Sequence, residues 1–375
     1  MSGPYADHQA DLAVLAGKAR LRSLRPREGV DFASNDYLAL AGDPRMKQAF
    51  AAALDRGVPV GSGGSRLLRG NHAEHEALEE EAARFFGCES ALYLANGFGA
   101  NSALVATLPR KGDVVIYDQL IHASLHEGLR LTRADRAMAP HNDPQGFADA
   151  IARWRAKGGT GRPWIAVESL YSMDGDIAPL DALIALADEH DGVLLVDEAH
   201  ATGVFGDGGR GVAAALQGRG NLITMHTCGK ALGSEGALVC GPKVVTDYLI
   251  NCARGFIFST APSPLMAAAT REALRISAQE PARREQLMAL IGHAAGALAP
   301  LGVTPTGSQI VPIILGGDAR TMEVAAAMQA AGFDIRGIRP PTVPSGTSRL
   351  RLSLTLNASP ADVDALAAAL TGALA

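Results

Sequence analysis

Val193-Leu194-Leu195-Val196-Asp197-Glu198-Ala199-His200 is the stretch on which the fold turns. Four apolar residues have the length and composition of a strand buried on both faces, and the run stops at a carboxylate with an imidazole three residues on. Ligands of open α/β sheets sit beyond the carboxyl ends of the strands, so Asp197 and His200 occupy a place where chemistry is expected. A plainer reading makes the acid a helix cap, and an Asp-Glu-Ala-His string also occurs in nucleotide-driven motors.

The next apolar run, 222–227, breaks the tie, because it leads into Thr227-Cys228-Gly229-Lys230-Ala231-Leu232-Gly233. Neighbouring strand ends would bring Lys230 close to Asp197. That pairing suits pyridoxal phosphate: a lysine amine forms its imine, and a carboxylate keeps the pyridine nitrogen protonated so that the ring acts as an electron sink. His200 is then expected at the phenolic oxygen, and His122, in Ile121-His122-Ala123-Ser124, against the ring face. Asn96-Gly97-Phe98-Gly99-Ala100 follows a strand and opens a helix, an arrangement that offers N–H donors to a phosphate.

The other glycine-rich loop, Gly61-Ser62-Gly63-Gly64-Ser65-Arg66, has no strand before it and no Lys-Ser/Thr at Walker spacing. Arg66 also stands where G-x-G-x-x-G needs its last glycine, so the nucleotide-motor reading fails. His72 with His75 and His122 with His126 have metal-compatible spacings but lack a third ligand, and no metal is expected.

Strand-like runs at 91–94, 114–117, 164–167, 193–196, 222–227 and 237–240 alternate with helix-length segments, which predicts a largely parallel sheet with helices on both faces. Helices are predicted over 73–86, with Leu78, Ala82 and Phe85 on one stripe, and over 180–190, with Leu183, Leu186 and Ala187. Beyond Pro262 come Ala-rich helices, a strand at 310–315, a helix near 321–331 and strands near 333–338 and 350–356, the pattern of a smaller α+β domain. The start is expected to be an arm, a helix with Leu12, Leu15 and Ala19 on one face linked to 30–33. The expected divisions are an arm over 1–38, a large domain over 39–262 and a small domain over 263–375.

The chain's 375 residues, 47% of them hydrophobic, suffice for a large core with a companion domain. No apolar run approaches the ~18 residues of a membrane span. The polar start with Asp7 and Asp11 is unlike a secretory signal, so cytoplasmic residence without membrane association is expected. Cys88, Cys228, Cys240 and Cys252 show no C-x-x-C spacing and are expected as reduced thiols. A net charge of -5 and a pI near 6.1 provide no basic field for nucleic acid.

Six ordered stretches, Ser34-Asn35-Asp36-Tyr37-Leu38, Gly61 to Arg66, His122-Ala123-Ser124, Ser172-Met173-Asp174-Gly175-Asp176, Asp197 to His200 and Thr227 to Lys230, carry a resemblance to the α-oxoamine synthases. These are a branch of the fold-type I pyridoxal-phosphate enzymes, and the likeness covers nearly the whole chain. It implies an α/β fold with a large, mostly parallel seven-stranded sheet domain, helices on both faces, and a smaller C-terminal α+β domain. The stretch Ile338-Arg339-Pro340-Pro341-Thr342-Val343-Pro344, with Gly346-Thr347 and Arg349-Leu350-Arg351-Leu352 after it, resembles the biotin-pathway branch. That branch implies decarboxylative condensation of L-alanine with a pimeloyl thioester, on coenzyme A or an acyl carrier protein.

Carried over by motif, the resemblance makes Lys230 the imine lysine and proton shuttle, Asp197 the partner of the ring nitrogen, His200 that of the phenolic oxygen, and His122 the stacking residue. Gly97, Phe98, Ser172 and Thr227 match cofactor-contacting positions. Ser259 and Thr260 match a pair that reaches the phosphate from the neighbouring subunit, which implies a homodimer with its active site at the interface. Arg351 matches the residue that receives the amino-acid carboxylate, a task suited to a planar fork. Arg22, Asn35, Arg339 and Thr342 complete the implied substrate site. The sequence departs from relatives in a short link from Arg25 to Asp31, in Cys228 where a larger apolar residue is usual, and in Asn96 where a small hydroxyl residue is common. Other members, among them 5-aminolaevulinate synthase, 2-amino-3-ketobutyrate CoA ligase and serine palmitoyltransferase, would keep every cofactor residue. A cofactor-less structural subunit would lose the lysine.

Overall fold

The computed structural model describes residues 3–374; residues 1, 2 and 375, which end the expected arm and small domain, lie outside it. Its central sheet has seven strands in the spatial order Ser90–Leu94, Ala237–Gly241, Leu222–Thr227, Val193–Asp197, Pro163–Glu168, Val114–Asp118 and Asp135–Ala139. Ala237–Gly241 runs antiparallel to both neighbours, and the remaining pairings are parallel.

Every position of Pro163–Glu168 and Val193–Asp197 is buried, which is why both read as unbroken apolar runs. Alternate residues serve opposite faces: Trp164, Ala166, Val193 and Leu195 join one core, while Ile165, Val167, Leu194 and Val196 join the other. Helices close both layers, with Leu104 and Leu125 on the first side and Phe147 and Leu183 on the second. The strand Asp135–Ala139 has no counterpart among the six expected runs. It is one edge of the sheet, and of its residues only Ala139 is buried, so it lacks the apolar signature.

Helix Ala73–Phe86 forms as expected, but Phe86, not Phe85, takes the fully buried place beside Leu78 and Ala82. Helix Leu180–Glu189 buries Leu183, Ile184 and Ala187, leaving Leu186 half-buried.

The chain divides into two compact units. The larger comprises Leu38–Ser172 and Asp176–Arg284, and the smaller comprises Met1–Tyr37, Met173–Gly175 and Glu285–Ala375. The expected divisions fell after 38 and after 262. The later edge of the larger unit follows from helix Pro264–Gln279, whose buried face, including Leu265, Ala269 and Leu274, packs on helices Pro44–Asp55 and Ala73–Phe86.

Within the smaller unit an antiparallel sheet runs in the order Arg336–Ile338, Ser348–Ser353, Ile310–Gly316, and helix Asp318–Ala330 packs on it and on Pro360–Leu374. Val30–Asp31 pairs in parallel with Phe333–Asp334. The N-terminal helix spans Ala6–Gly17 and buries no residue; Leu12 is 51% exposed, and Ala19 lies beyond the helix at φ 54°. The expected apolar stripe therefore stays partly exposed, with Leu15 at 37%. Among the described residues no helix is long and apolar enough to cross a membrane.

Candidate active site

Strand register assembles the centre of the site. Glu168 lies opposite Asp197, and Asp197 opposite Met225, so the carboxyl ends of three adjacent strands are level. Asp197 is 4% exposed; its Oδ1 accepts the Ala199 N–H at 2.8 Å, and its Oδ2 accepts from Asn101 Nδ2 at 2.7 Å. Glu198 points the other way and anchors a loop, accepting from Ser169 Oγ at 2.7 Å and from the amides of Val212 and Ala213 at 3.1 and 2.6 Å. Burial pushes Glu198 up to about 7, against those donors. The two consecutive acids thus divide into one at the strand end and one that is structural.

After Thr227 the chain makes a tight loop in which Cys228 N–H donates to the Gly236 carbonyl at 2.9 Å and Gly233 N–H to the Lys230 carbonyl at 2.8 Å. Lys230 Nζ then lies 2.8 Å from His200 Nε2. His122 caps helix Ala123–Leu131, with Nδ1 2.8 Å from Ser124 Oγ. Its pKa is lowered, first by lost hydration, with Asp197 opposing and Lys230 and His126 adding. Gly97 opens helix Gly97–Thr107, and a Cβ there would touch the side chains of Met225 and Thr227 at 3.5 Å.

Ser172 N–H donates to Glu168 Oε2 at 3.1 Å. Burial pushes Glu168 up to about 8; Asp197 adds to this, while Lys230 and Ser172 oppose it. Phe98 is 51% and Phe258 72% exposed. Ser259 is half-buried, its hydroxyl 3.4 Å from the Thr260 carbonyl, and Thr260 is exposed.

The substrate candidates all fall in the smaller unit, in two groups. Arg351, 7% exposed, donates from Nη1 to Asn35 Oδ1 at 3.1 Å and to Ser353 Oγ at 2.7 Å, and the Tyr37 hydroxyl donates to Asn35 Oδ1 at 2.9 Å. Arg22 Nη2 reaches Thr342 Oγ1 at 3.4 Å, and Arg339 Nη1 donates to the Ala19 carbonyl at 2.8 Å. Burial, then Arg22, lowers the Arg339 pKa.

Three residues of the site went unnoticed in the sequence as functional groups: Asn101, Ser124 and Glu168. Glu168 ends an apolar strand just as Asp197 does, so the same signal would have found it. Asn101 carries only the faint mark of a polar residue, one turn past Gly97, in an otherwise apolar helix.

These residues fit pyridoxal phosphate. An amine and a buried carboxylate lie on adjacent strand-end loops, with two imidazoles beside them. The glycine opening Gly97–Thr107 provides a backbone cradle at a helix N-terminus, where an anion is favoured. Among the described residues no group of three His, Cys, Asp or Glu is placed to hold a metal.

A model of the aminotransferase class I and II family matches residues 27–370, so the chain belongs to that family. It is 42% identical to the 8-amino-7-oxononanoate synthase of Anaeromyxobacter dehalogenans (strain 2CP-1 / ATCC BAA-258), over 97% of this chain and 94% of that one, and this likeness places it with the 8-amino-7-oxononanoate synthases. Among solved structures it resembles SPT with PLP, at 26% identity and a TM-score of 0.88 over 98% of this chain and 97% of that one. It also resembles the 8-amino-7-oxononanoate synthase from Francisella tularensis, at 27% identity and a TM-score of 0.77 over 92% of this chain and 98% of that one.

Proposed function

We infer that the protein catalyses the pyridoxal-phosphate-dependent, decarboxylative condensation of L-alanine with a pimeloyl thioester, giving 8-amino-7-oxononanoate for biotin synthesis. The observation that carries this reading is the convergence of Lys230, His200 and Asp197 at adjacent strand ends, in a chain 42% identical to an 8-amino-7-oxononanoate synthase.

Pyridoxal phosphate supplies the electron sink that stabilises a carbanion at the alanine α-carbon. Lys230 would hold the cofactor through Nζ, and its amine is the group that would take and return the substrate's α-proton. Its 2.8 Å contact with His200 supports a lysine amine kept within reach of the reacting centre. Asp197 keeps a proton on the ring nitrogen, and its burial supports this role, because a charge pair is stronger where water is excluded. His200 would partner the cofactor's phenolic oxygen, and His122 would pack on its ring. Gly97, Phe98, Ser172 and Thr227 complete the cofactor's surroundings.

Arg351 takes the alanine carboxylate with a fork already oriented by Asn35 and Ser353, and Arg22, Arg339 and Thr342 receive the acyl donor. Ser259 and Thr260 serve a second copy of the chain across a homodimer interface, a role supported by the exposure of Thr260 and of Phe258 beside them. All four cysteines are free thiols, which suits the reducing cytoplasm.

The test is incubation of purified protein with L-alanine and pimeloyl-CoA or pimeloyl-acyl carrier protein, with detection of the amino-ketone and carbon dioxide. Turnover of glycine with succinyl-CoA or acetyl-CoA, or of serine with palmitoyl-CoA, in place of the alanine reaction would move the protein to another member of the family. Lys230→Ala should abolish borohydride trapping of the cofactor; trapping at the wild-type level removes Lys230 from its role.

A further inference from the structure

Asn101 is 1% exposed on the inner face of helix Gly97–Thr107, and its amide nitrogen has two protons to give. One goes to Asp197 Oδ2 at 2.7 Å and the other to Ser124 Oγ at 2.9 Å. Ser124 is fully buried, and its Oγ lies 2.8 Å from His122 Nδ1. The Ser124 amide donates to His122 Nδ1 at 3.3 Å, and since an N–H can only donate, this nitrogen accepts and the serine proton is left to point at it. Nδ1 is therefore the acceptor, and neutral His122 carries its proton on Nε2. The reverse setting of the Asn101 amide would aim its oxygen at a carboxylate.

The other half of the amide strengthens the case. Asn101 Oδ1 is buried and has no hydrogen-bond partner, an arrangement that works against stability in an otherwise apolar helix interior. A leucine would fill much the same space without that penalty. The use of an asparagine here is explained by what its nitrogen does.

We propose that Asn101 is a positioning residue of the active site, tying the carboxylate of Asp197 to the imidazole of His122 through the Ser124 hydroxyl, so that the group beneath the ring nitrogen and the group stacked on the ring are held as one unit. The proposal rests on the cofactor reading given above. It assigns Asn101 no contact with substrate or cofactor. It acts by fixing the carboxylate's orientation and the tautomer of the histidine, and two hydrogen bonds lost together are worth about a tenfold effect or more.

The experiment compares wild type, Asn101→Leu and Ser124→Ala, each loaded with pyridoxal phosphate. Ser124→Ala keeps the bond from Asn101 to Asp197 and breaks only the path to His122, so it remains informative should the Asn101 variant not fold. Three quantities are read: the pH midpoint of the bound cofactor's near-visible absorbance, and kcat and KM for alanine. A carboxylate set adrift holds the ring nitrogen's proton less firmly; a less positive ring withdraws less charge from the imine nitrogen, whose protonation sets the absorbance, so Asn101→Leu should move that midpoint to higher pH by about one unit and lower kcat about tenfold while KM changes little. Ser124→Ala should move the same midpoint in a smaller step. Wild-type midpoints and kcat in both variants, or in Ser124→Ala alone if it is the only one to fold, would overturn the proposal. A wild-type protein that shows no cofactor absorbance would instead overturn the reading on which it rests.

Discussion

Replacing Glu168 by Gln should abolish a pH dependence of stability whose size follows from where the structure puts this acid. Glu168 is 2% exposed, in register with Asp197 on the next strand, and its Oε1 has no hydrogen-bond partner. Burial, with Asp197 adding, raises it from an ordinary 4.5 to about 8, although Lys230 and Ser172 pull the other way. Below 4.5 the carboxyl is protonated in native and unfolded chains alike, and its contribution to stability is fully present. Between 4.5 and about 8 the unfolded chain releases the proton and the native chain retains it, so stability falls as pH rises. Above about 8 both forms are ionised and the loss is complete. At about 1.4 kcal/mol for each tenfold difference in proton affinity, the interval corresponds to a loss of up to about 5 kcal/mol.

The assay is urea unfolding of cofactor-free protein from about pH 5 to pH 8.5, followed by tryptophan fluorescence, with slopes read as proton uptake. Both tryptophans, Trp154 and Trp164, belong to the larger unit, as does Glu168, so the signal reports on the part of the molecule that matters. Glu198, raised to about 7, titrates in wild type and variant alike and cancels in their difference. The difference curve should slope through the interval and level off at either end. Parallel curves for the two proteins across the whole range would show that Glu168 is ionised in the native state, and the reasoning from burial and Asp197 would be refuted.

What could be seen in the sequence, and what could not, divides along physical lines. A strand covered on both faces must be apolar at every position, so six of the seven sheet strands announced themselves. Asp135–Ala139 is exposed at three of its five positions and needs no such run. The acid of 193–197 and the lysine after 222–227 were legible because the end of an apolar run is a position that sequence marks directly. Asn101 was not, because its meaning lies in bonds to residues 23 and 96 positions away. Phe85 and Phe86 both suit a helix stripe, and only the packing of Phe86 against the buried His226 ring, with centroids 3.7 Å apart, chooses between them. The stripe of Leu12 and Leu15 shows the opposite limit, a pattern that promises burial where the chain leaves both residues more than a third exposed.

The remaining predictions concern stability. Arg349 is 3% exposed and pairs with Asp174 at 2.6 Å, but Asp174 is 32% exposed and can hydrate once left alone, so Arg349→Ala should cost the smaller unit about 1–3 kcal/mol, measured by denaturant unfolding. Gly236→Ala should cost more than a left-handed backbone alone can explain. Gly236 has φ 103°, and a Cβ there would come within 2.3 Å of Cε2 of Tyr93, a fully buried ring whose hydroxyl is itself fixed to the Glu235 carbonyl at 2.6 Å. Gly112, at φ 95°, has open space where the Cβ would go. Gly112→Ala therefore carries the backbone cost by itself, about 1–2 kcal/mol, and the excess of Gly236→Ala over it measures the collision with an aromatic ring that has nowhere to move. That excess should leave little folded protein at 37 °C; equal midpoints for the two variants in the same unfolding assay would mean that the Tyr93 ring yields, and that the loop leading from Thr227 through Lys230 to Gly236 is looser than its hydrogen bonds imply.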